Sequence, residues 1–150
     1  MRWWQRLSRL PAGAWLFSLA LGRIAPYSGT IRARVEQLRP GYARVRLRDR
    51  RGVRNHLRSI HAIALVNLGE IATGLAVLST ISADMRGIVT HIEADYLKKA
   101  RGELIAEAEF QLPDTLDDEK PVEVEAALRD ATGDTVTLVR ASWLIGYKTT

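Results

Sequence analysis

The 150-residue sequence contains no cysteine. That absence removes disulfide cross-links, a thiol nucleophile and any cysteine-ligated zinc site, and it gives no sign of an oxidising destination. Histidine is sparse, at three residues. His56 and His61 are five positions apart, so one helix face cannot carry both, His91 has no ligand spacing to either, and no H-E-x-x-H occurs; no metal site is expected. There is no internal repeat, low-complexity tract or inter-domain linker. Acidic residues are nearly missing from the first third: residues 1–54 hold thirteen arginines against Glu36 and Asp49, about +11, which leaves the remainder near −6.

What is present is a chain with 47% hydrophobic residues, enough to bury a core without cross-links, as one domain spanning 1–150. A basic half attracts phosphates, anionic lipid or nucleic acid. Pattern narrows the choice. Arg44, Arg46, Arg48 and Arg50 alternate with Val45 and Leu47, so the arginines aim at solvent, where Glu103, Glu107, Glu109, Glu123 and Glu125 offer cross-strand partners. Aromatics interleaved with such a row would suit nucleic acid, but Trp3, Trp4 and Trp15 lie near the N-terminus and Tyr42 stands nearly alone; no nucleic-acid partner is expected.

Arg2, Arg6 and Arg9 precede the apolar "AGAWLFSLALG", a stretch about as long as a signal-peptide core. Pro11 and the arginines and tryptophans of the first ten residues favour instead a helical extension over 1–25, packed on the domain or lying at a membrane surface. Ala62 to Ile81 is apolar enough to resemble a membrane span, but Asn67, Gly69, Glu70 and Gly74 at its centre predict a helix buried in protein. The expected location is cytoplasmic, with membrane association through the N-terminal helix as the variant.

After the extension, "APYSG" predicts a break. "TIRARVEQL" and "YARVRLRDR" alternate as strands around "RPG" and predict a half-buried hairpin. "RGVRNHLRS" is a loop into the long helix, with Ser59 as its N-cap. Four further strands are expected, over 88–98, 103–112, 122–130 and 135–147, separated by "KKARGE", the acidic "PDTLDDEKP" and "DATGDT". In "ELIAEAEF", Leu104, Ala106, Ala108 and Phe110 face inward. A helix apolar nearly all round must be wrapped, and a six-stranded antiparallel sheet has one face to cover. The expected class is α+β, with a curved six-stranded antiparallel sheet wrapped around a long central helix and an extra N-terminal helix.

Glu70, alone among the apolar residues of that helix, is the sharpest functional signal. Burial raises a carboxyl's pKa toward neutrality, which suits a general base. The competing reading is a structural carboxylate satisfied by Asn67, Thr73 or an arginine.

The order of elements and the residues around Glu70 resemble the hotdog-fold acyl-CoA thioesterases. In their phenylacetyl-CoA thioesterase-like branch, a loop of form N-x5-H leads into the central helix and an acid follows nine residues after the histidine; Asn55, His61 and Glu70 stand at those spacings. The run from "APYSGTIRARVEQL" to "NLGEIATGLA" is similar to a group of uncharacterised hotdog proteins related to the thioesterases, over nearly the whole chain.

The resemblance implies that Glu70 acts as general base or nucleophile on a thioester, across a dimer interface. Asn55 would orient the base or water and His61 would shape the loop. The helix start at Ser59, Ile60 and Ala62 would turn backbone N–H groups to the thioester carbonyl, and Arg58, Lys98, Lys99 and Arg101 would meet the phosphates of coenzyme A. Where the thioesterases usually carry glycine between the Asn and the His, and a Gly-Gly after the His, this chain has Arg58 and Ala62-Ile63. Those side chains either narrow the pocket or, for Arg58, reach an anionic ligand.

The expected activity is hydrolysis of an acyl-CoA or acyl-carrier thioester to acid and thiol. No cofactor is implied, with coenzyme A arriving as part of the substrate, and the expected assembly is a homodimer or dimer of dimers. The alternatives are a non-catalytic acyl-binding hotdog protein and a membrane-surface interaction protein.

Overall fold

The computed structural model describes residues 2–113 and 119–148. Three short helices, α1 (Arg2–Leu7), α2 (Gly13–Ile24) and α3 (Pro26–Gly29), precede the hairpin β1 (Arg34–Arg39) and β2 (Tyr42–Leu47). A 3₁₀ turn at Arg51–Val53 leads to the long helix α4 (Ala62–Leu78), followed by β3 (Met85–Tyr96), β4 (Leu104–Glu109), β5 (Lys120–Arg129) and β6 (Thr135–Tyr147). The six strands form one antiparallel sheet in the order β1-β2-β4-β5-β6-β3.

The strands follow the alternation of the sequence. On β2 and β4 the aliphatic residues Ala43, Val45, Leu47, Leu104, Ala106 and Ala108 are buried, while Arg44 and Arg46 face outward. Arg44 lies between Glu36 (3.2 Å) and Glu107 (2.8 Å), and Arg46 between Glu36 (2.5 Å) and Glu103 (3.2 Å). Arg44 and Arg46 thus form a solvated face with cross-strand partners, each pair worth a few tenths of a kcal/mol up to about 1 kcal/mol, whereas Arg50 donates to Thr30 O (2.8 Å) and Arg48 has no carboxylate within 4 Å among the described residues.

Three local expectations change. The N-terminal extension is not one helix, because Ala12 adopts a left-handed φ of 63° and splits it. "APYSG" is not a simple break: proline at the first helical position starts the one-turn helix α3. The first strand does not begin at Thr30, because Arg32 also has a left-handed φ, 51°, and extended backbone resumes only at Arg34. The acidic loop predicted over "PDTLDDEKP" falls mostly outside the described residues.

The core is a wrapped helix. Twelve of the seventeen residues of α4 are buried, and the sheet curves around them. Helix and sheet approach closely at α4's small residues: a Cβ on Gly69 would lie 2.4 Å from Val139 Cβ, and one on Gly74 would lie 3.0 Å from the Trp143 ring. Trp143 also donates through Nε1 to the buried Thr73 hydroxyl (3.3 Å). The less buried positions Ala62, Ile63, Val66 and Glu70 form one stripe, and α3 crosses the helix there. Trp4 is buried, edge-on to Phe17 at 5.1 Å, so it packs the N-terminal helices against one another rather than anchoring them in a lipid interface. Among the described residues, no helix is long and apolar enough to cross a membrane.

Because β6 passes so near Gly69, Gly69→Val should overpack the interface and lower stability by about 1–3 kcal/mol. Thermal unfolding against Ser142→Val on the outer face of the same strand checks this; equal melting temperatures would mean that the helix does not pack on Val139 as described.

Candidate active site

The loop before α4 is built by Asn55. Its side-chain oxygen accepts from Leu57 N (2.9 Å), Ser59 N (3.2 Å) and Ser59 Oγ (3.1 Å), and its own N–H donates to Ser59 O (2.8 Å). This closes a tight turn whose fourth residue, Arg58, has a left-handed φ of 57°. Arg58 therefore takes a backbone conformation that glycine adopts freely, at a cost of about 1–2 kcal/mol. The position where the thioesterases usually have glycine keeps a glycine-like backbone although the residue is arginine.

The end of the loop is tied on both sides. Ile60 N donates to Ala100 O and His61 N to Val53 O, both at 2.8 Å. His61, not Ser59, is the N-cap: Ser59 is buried and holds Asn55, while His61 Nδ1 accepts from Ile63 N (3.1 Å), so a neutral ring would carry its proton on Nε2. Of the amides at the helix start, Ile60, His61 and Ile63 are engaged. Ala62 N–H has no acceptor among the described residues, which leaves one donor aligned with the helix N-terminus.

Glu70 stands two turns further along, half-buried. Among the described residues no cation lies within 4 Å of it, and the hydroxyl of Ser28 on α3 is the neighbouring polar group that favours its ionised form. Burial pushes its carboxyl above the ordinary glutamate range, and the Ser28 hydrogen bond draws it partly back. Neither Asn67, Thr73 nor an arginine satisfies the carboxylate: Asn67 Nδ2 reaches Tyr27 O (3.4 Å), and Thr73 Oγ1 donates to the backbone O of Glu70 (3.1 Å). Two consecutive residues of α3, Tyr27 and Ser28, thus contact two residues of α4 one turn apart.

Eight residues separate Ala62 from Glu70, about 12 Å along the axis. The Asn55–His61 loop and Glu70 thus stand at different levels of the helix.

The basic candidates divide. Lys98 is engaged by Asp130 (2.9 Å) and Asp134 (2.6 Å) across the β5–β6 turn. Arg58, Lys99 and Arg101 are exposed, with no carboxylate within 4 Å among the described residues. They belong to adjoining loops, joined by the Ile60–Ala100 bond and by Gly102 N donating to Asp49 (2.9 Å). A small cavity of about 190 Å³ beside this loop is lined by His61, Ile63, Asn67 and Tyr27. No group of three or more potential metal-ligating side chains occurs among the described residues.

A curved antiparallel sheet closed around one long helix, with a lone carboxylate on the helix and a tight loop at its start, is the hotdog fold of the thioesterase-like proteins. Residues 13–145 match the family described as a domain of unknown function, DUF4442, and the chain belongs to that family. Among solved structures, one from structural genomics shares 30% identity and superposes with a TM-score of 0.82, covering 96% of this chain and 95% of that one. The protein PA5026 from Pseudomonas aeruginosa, named a probable thioesterase, is 25% identical with a TM-score of 0.76, over 93% and 97% of the two chains. Thioesterase HI1161 from Haemophilus influenzae is 13% identical with a TM-score of 0.72, over 85% and 88%, a likeness of fold. No curated protein matches the sequence.

Sequence reasoning missed Ser28 and Tyr27. Neither has a local signal, since "APYSG" carries turn formers only; their role exists because α3 lies across the Asn67–Glu70 stripe.

Glu70 makes stability depend on pH in a defined direction. The folded state holds the proton more tightly than the unfolded chain, so this contribution is full below the unfolded pKa and is lost as pH rises through the folded one. Glu70→Gln should therefore melt higher than wild type at neutral pH, with the advantage vanishing below about pH 4. Melting curves across pH check this; a pH-independent difference would mean that Glu70 ionises normally.

Proposed function

We propose that this protein is a thioester hydrolase that cleaves an acyl-CoA or acyl-carrier thioester to free acid and thiol. One observation carries the reading: a half-buried carboxylate on the central helix of a thioesterase-like fold, with its pKa raised by burial, a serine hydroxyl beside it and no cation within 4 Å among the described residues. A carboxylate so placed is a stronger base than one on the surface and is not neutralised by a cation. Glu70 takes a proton from water as the water oxygen adds to the thioester carbonyl; the C–S bond then breaks and the thiolate leaves with the proton returned from Glu70. Direct attack by Glu70, with an anhydride then hydrolysed, uses the same geometry.

The charge on the carbonyl oxygen needs a donor, and Ala62 stands eight residues, about 12 Å of helix axis, before Glu70 in the same chain. A second copy supplies it in this reading, with Asn55 of that copy holding the loop in shape and Arg58, Lys99 and Arg101 of the two adjoining loops meeting the phosphates of coenzyme A. The sheet offers the means of pairing. The β1 edge is covered by α2, where Ser18 Oγ accepts from Val35 N (2.9 Å), whereas β3 is a twelve-residue edge with Ile88 and Tyr96 half exposed. A long open edge of this kind pairs readily. Light scattering should give a dimer or tetramer, and a strictly monomeric, active protein would contradict the shared site.

The direct test is thiol release from short, long and aromatic acyl-CoAs. Glu70→Gln should lower kcat by about 10²–10⁴-fold with KM little changed. Turnover at the wild-type rate in Glu70→Gln would remove Glu70 from the chemistry, and saturable analogue binding without turnover would make the protein an acyl-binding one.

A second reading, contact with a membrane surface, rests on the exposure of Leu10, Trp15, Leu16 and Leu19 beside Arg6, Arg9 and Arg23 on the N-terminal helices. Co-sedimentation with anionic vesicles, abolished by Trp15→Ser with Leu19→Ser, would support it.

A further inference from the structure

A second cavity, larger than the one at the Asn55–His61 loop, lies beneath the N-terminal helices; it is a half-open groove of about 840 Å³, within the size range of small-molecule sites. Leu19 and Leu21 of α2, Val35 of β1, Val45 of β2 and Ile71 of α4 supply apolar wall, and Trp15 stands beside them. Three further lining residues are arginines: Arg23, Arg32 and Arg34. All three are exposed, so they stand on the rim, and none has a carboxylate within 4 Å among the described residues.

Some arginines of this chain have acidic partners and others, such as Arg58 and Arg101, do not. Arg44, Arg46, Arg54, Arg86 and Arg140 each pair with at least one carboxylate. Three uncompensated cations around one apolar opening repel one another, and an anion among them relieves that repulsion. Arg32 is also held in its left-handed conformation, with its N–H donating to Gly29 O (3.1 Å), and backbone strain of that kind concentrates at ligand sites. The wall is firmly set: α2 and α3 cross in contact, so that a Cβ on Gly29 would lie 2.7 Å from Gly22 O.

We propose that this cavity binds a single-chain anionic amphiphile, with the hydrocarbon tail against Trp15, Leu19, Leu21 and Ile71 over the buried Val35 and Val45, and the carboxylate or phosphate head on Arg23, Arg32 and Arg34. The class is that of a long-chain fatty acid or a monoalkyl phosphate. Glu70 does not line this cavity; Ser28, which does, turns its hydroxyl to Glu70. The site is separate from the Asn67–Glu70 stripe and does not depend on hydrolysis there.

The test uses the full chain and isothermal titration calorimetry with dodecanoate, dodecyl phosphate and dodecyltrimethylammonium, each below its micellar concentration. One anionic amphiphile per chain should bind, and the cationic one should not. Binding of dodecanoate alone would identify a carboxylate site, and binding of both anions a site for either head. Arg23→Glu with Arg34→Glu should weaken binding at least tenfold, and Ala33→Phe, which places a ring in the cavity, should abolish it. If Ala33→Phe loses its cooperative melting, the charge-reversal pair on exposed side chains decides. Equal affinity for the cationic amphiphile, wild-type affinity in the charge-reversed protein, or no saturable binding would overturn the proposal. So would affinity for anionic vesicles without affinity for monomeric amphiphile, which would assign the arginines to a membrane surface. Glu70→Gln separates this proposal from the enzymatic one: intact dodecanoate binding with hydrolysis absent in every protein would remove the hydrolase and leave the amphiphile site.

Discussion

The helix Ala62–Leu78 must be covered on nearly every side, and the architecture follows from how that is done. Burying Leu65, Leu68, Ile71, Ala72, Leu75, Ala76 and Val77 removes a large apolar area from water. No flat sheet reaches around such a helix, so six strands curve about it. The curvature brings β6 close enough that only small residues fit between, which is why glycine stands at 69 and 74 despite its cost in a helix interior. What the sheet leaves uncovered is the stripe running from Ala62 to Glu70, and the N-terminal helix α3 lies across it.

The same geometry gives Glu70 its character. A carboxylate on the solvent face of a helix would ionise normally, and one among arginines would be held ionised. Glu70 meets neither condition: sheet, helix and α3 take water away, and among the described residues the group returned to it is the Ser28 hydroxyl. The Asn55 loop, two turns away, is a separate structural unit. Its oxygen organises three donors, its Arg58 holds a glycine-like backbone, and its histidine caps the helix. Loop and carboxylate stand about 12 Å apart along the helix axis.

Much of this was legible in the sequence where the physics is local and periodic. Alternation in "YARVRLRDR" and "ELIAEAEF" marks β2 and β4 and their inward residues, and the apolar run around Glu70 marks the helix that the sheet must wrap. Arg44 and Arg46 were readable as a solvated face because their acidic partners recur at strand spacing. Less local features were not readable. Arg32 and Arg58 adopt left-handed backbone that arginine does not advertise, so the start of β1 and the helix cap are displaced from the positions that propensity favours. Ser28 and Tyr27 acquire their partners only through the crossing of α3 over α4, and Lys98 is drawn to Asp130 and Asp134 by the register of a hairpin two strands away. The spacing of Asn55, His61 and Glu70 was visible, but not that Asn55 folds the loop through its own side-chain oxygen while Glu70 faces α3.

The central claim is that Glu70 is a desolvated carboxylate stabilised by the Ser28 hydroxyl, with no cation within 4 Å among the described residues. It is tested most directly by a carbon-detected NMR titration of the Glu70 side-chain carboxyl, in wild type and in Ser28→Ala. The account predicts a midpoint above the ordinary glutamate range in the wild type and a further rise in Ser28→Ala, because the hydroxyl stabilises the ionised form. A midpoint in the ordinary range, unmoved by loss of the Ser28 hydroxyl, would contradict it.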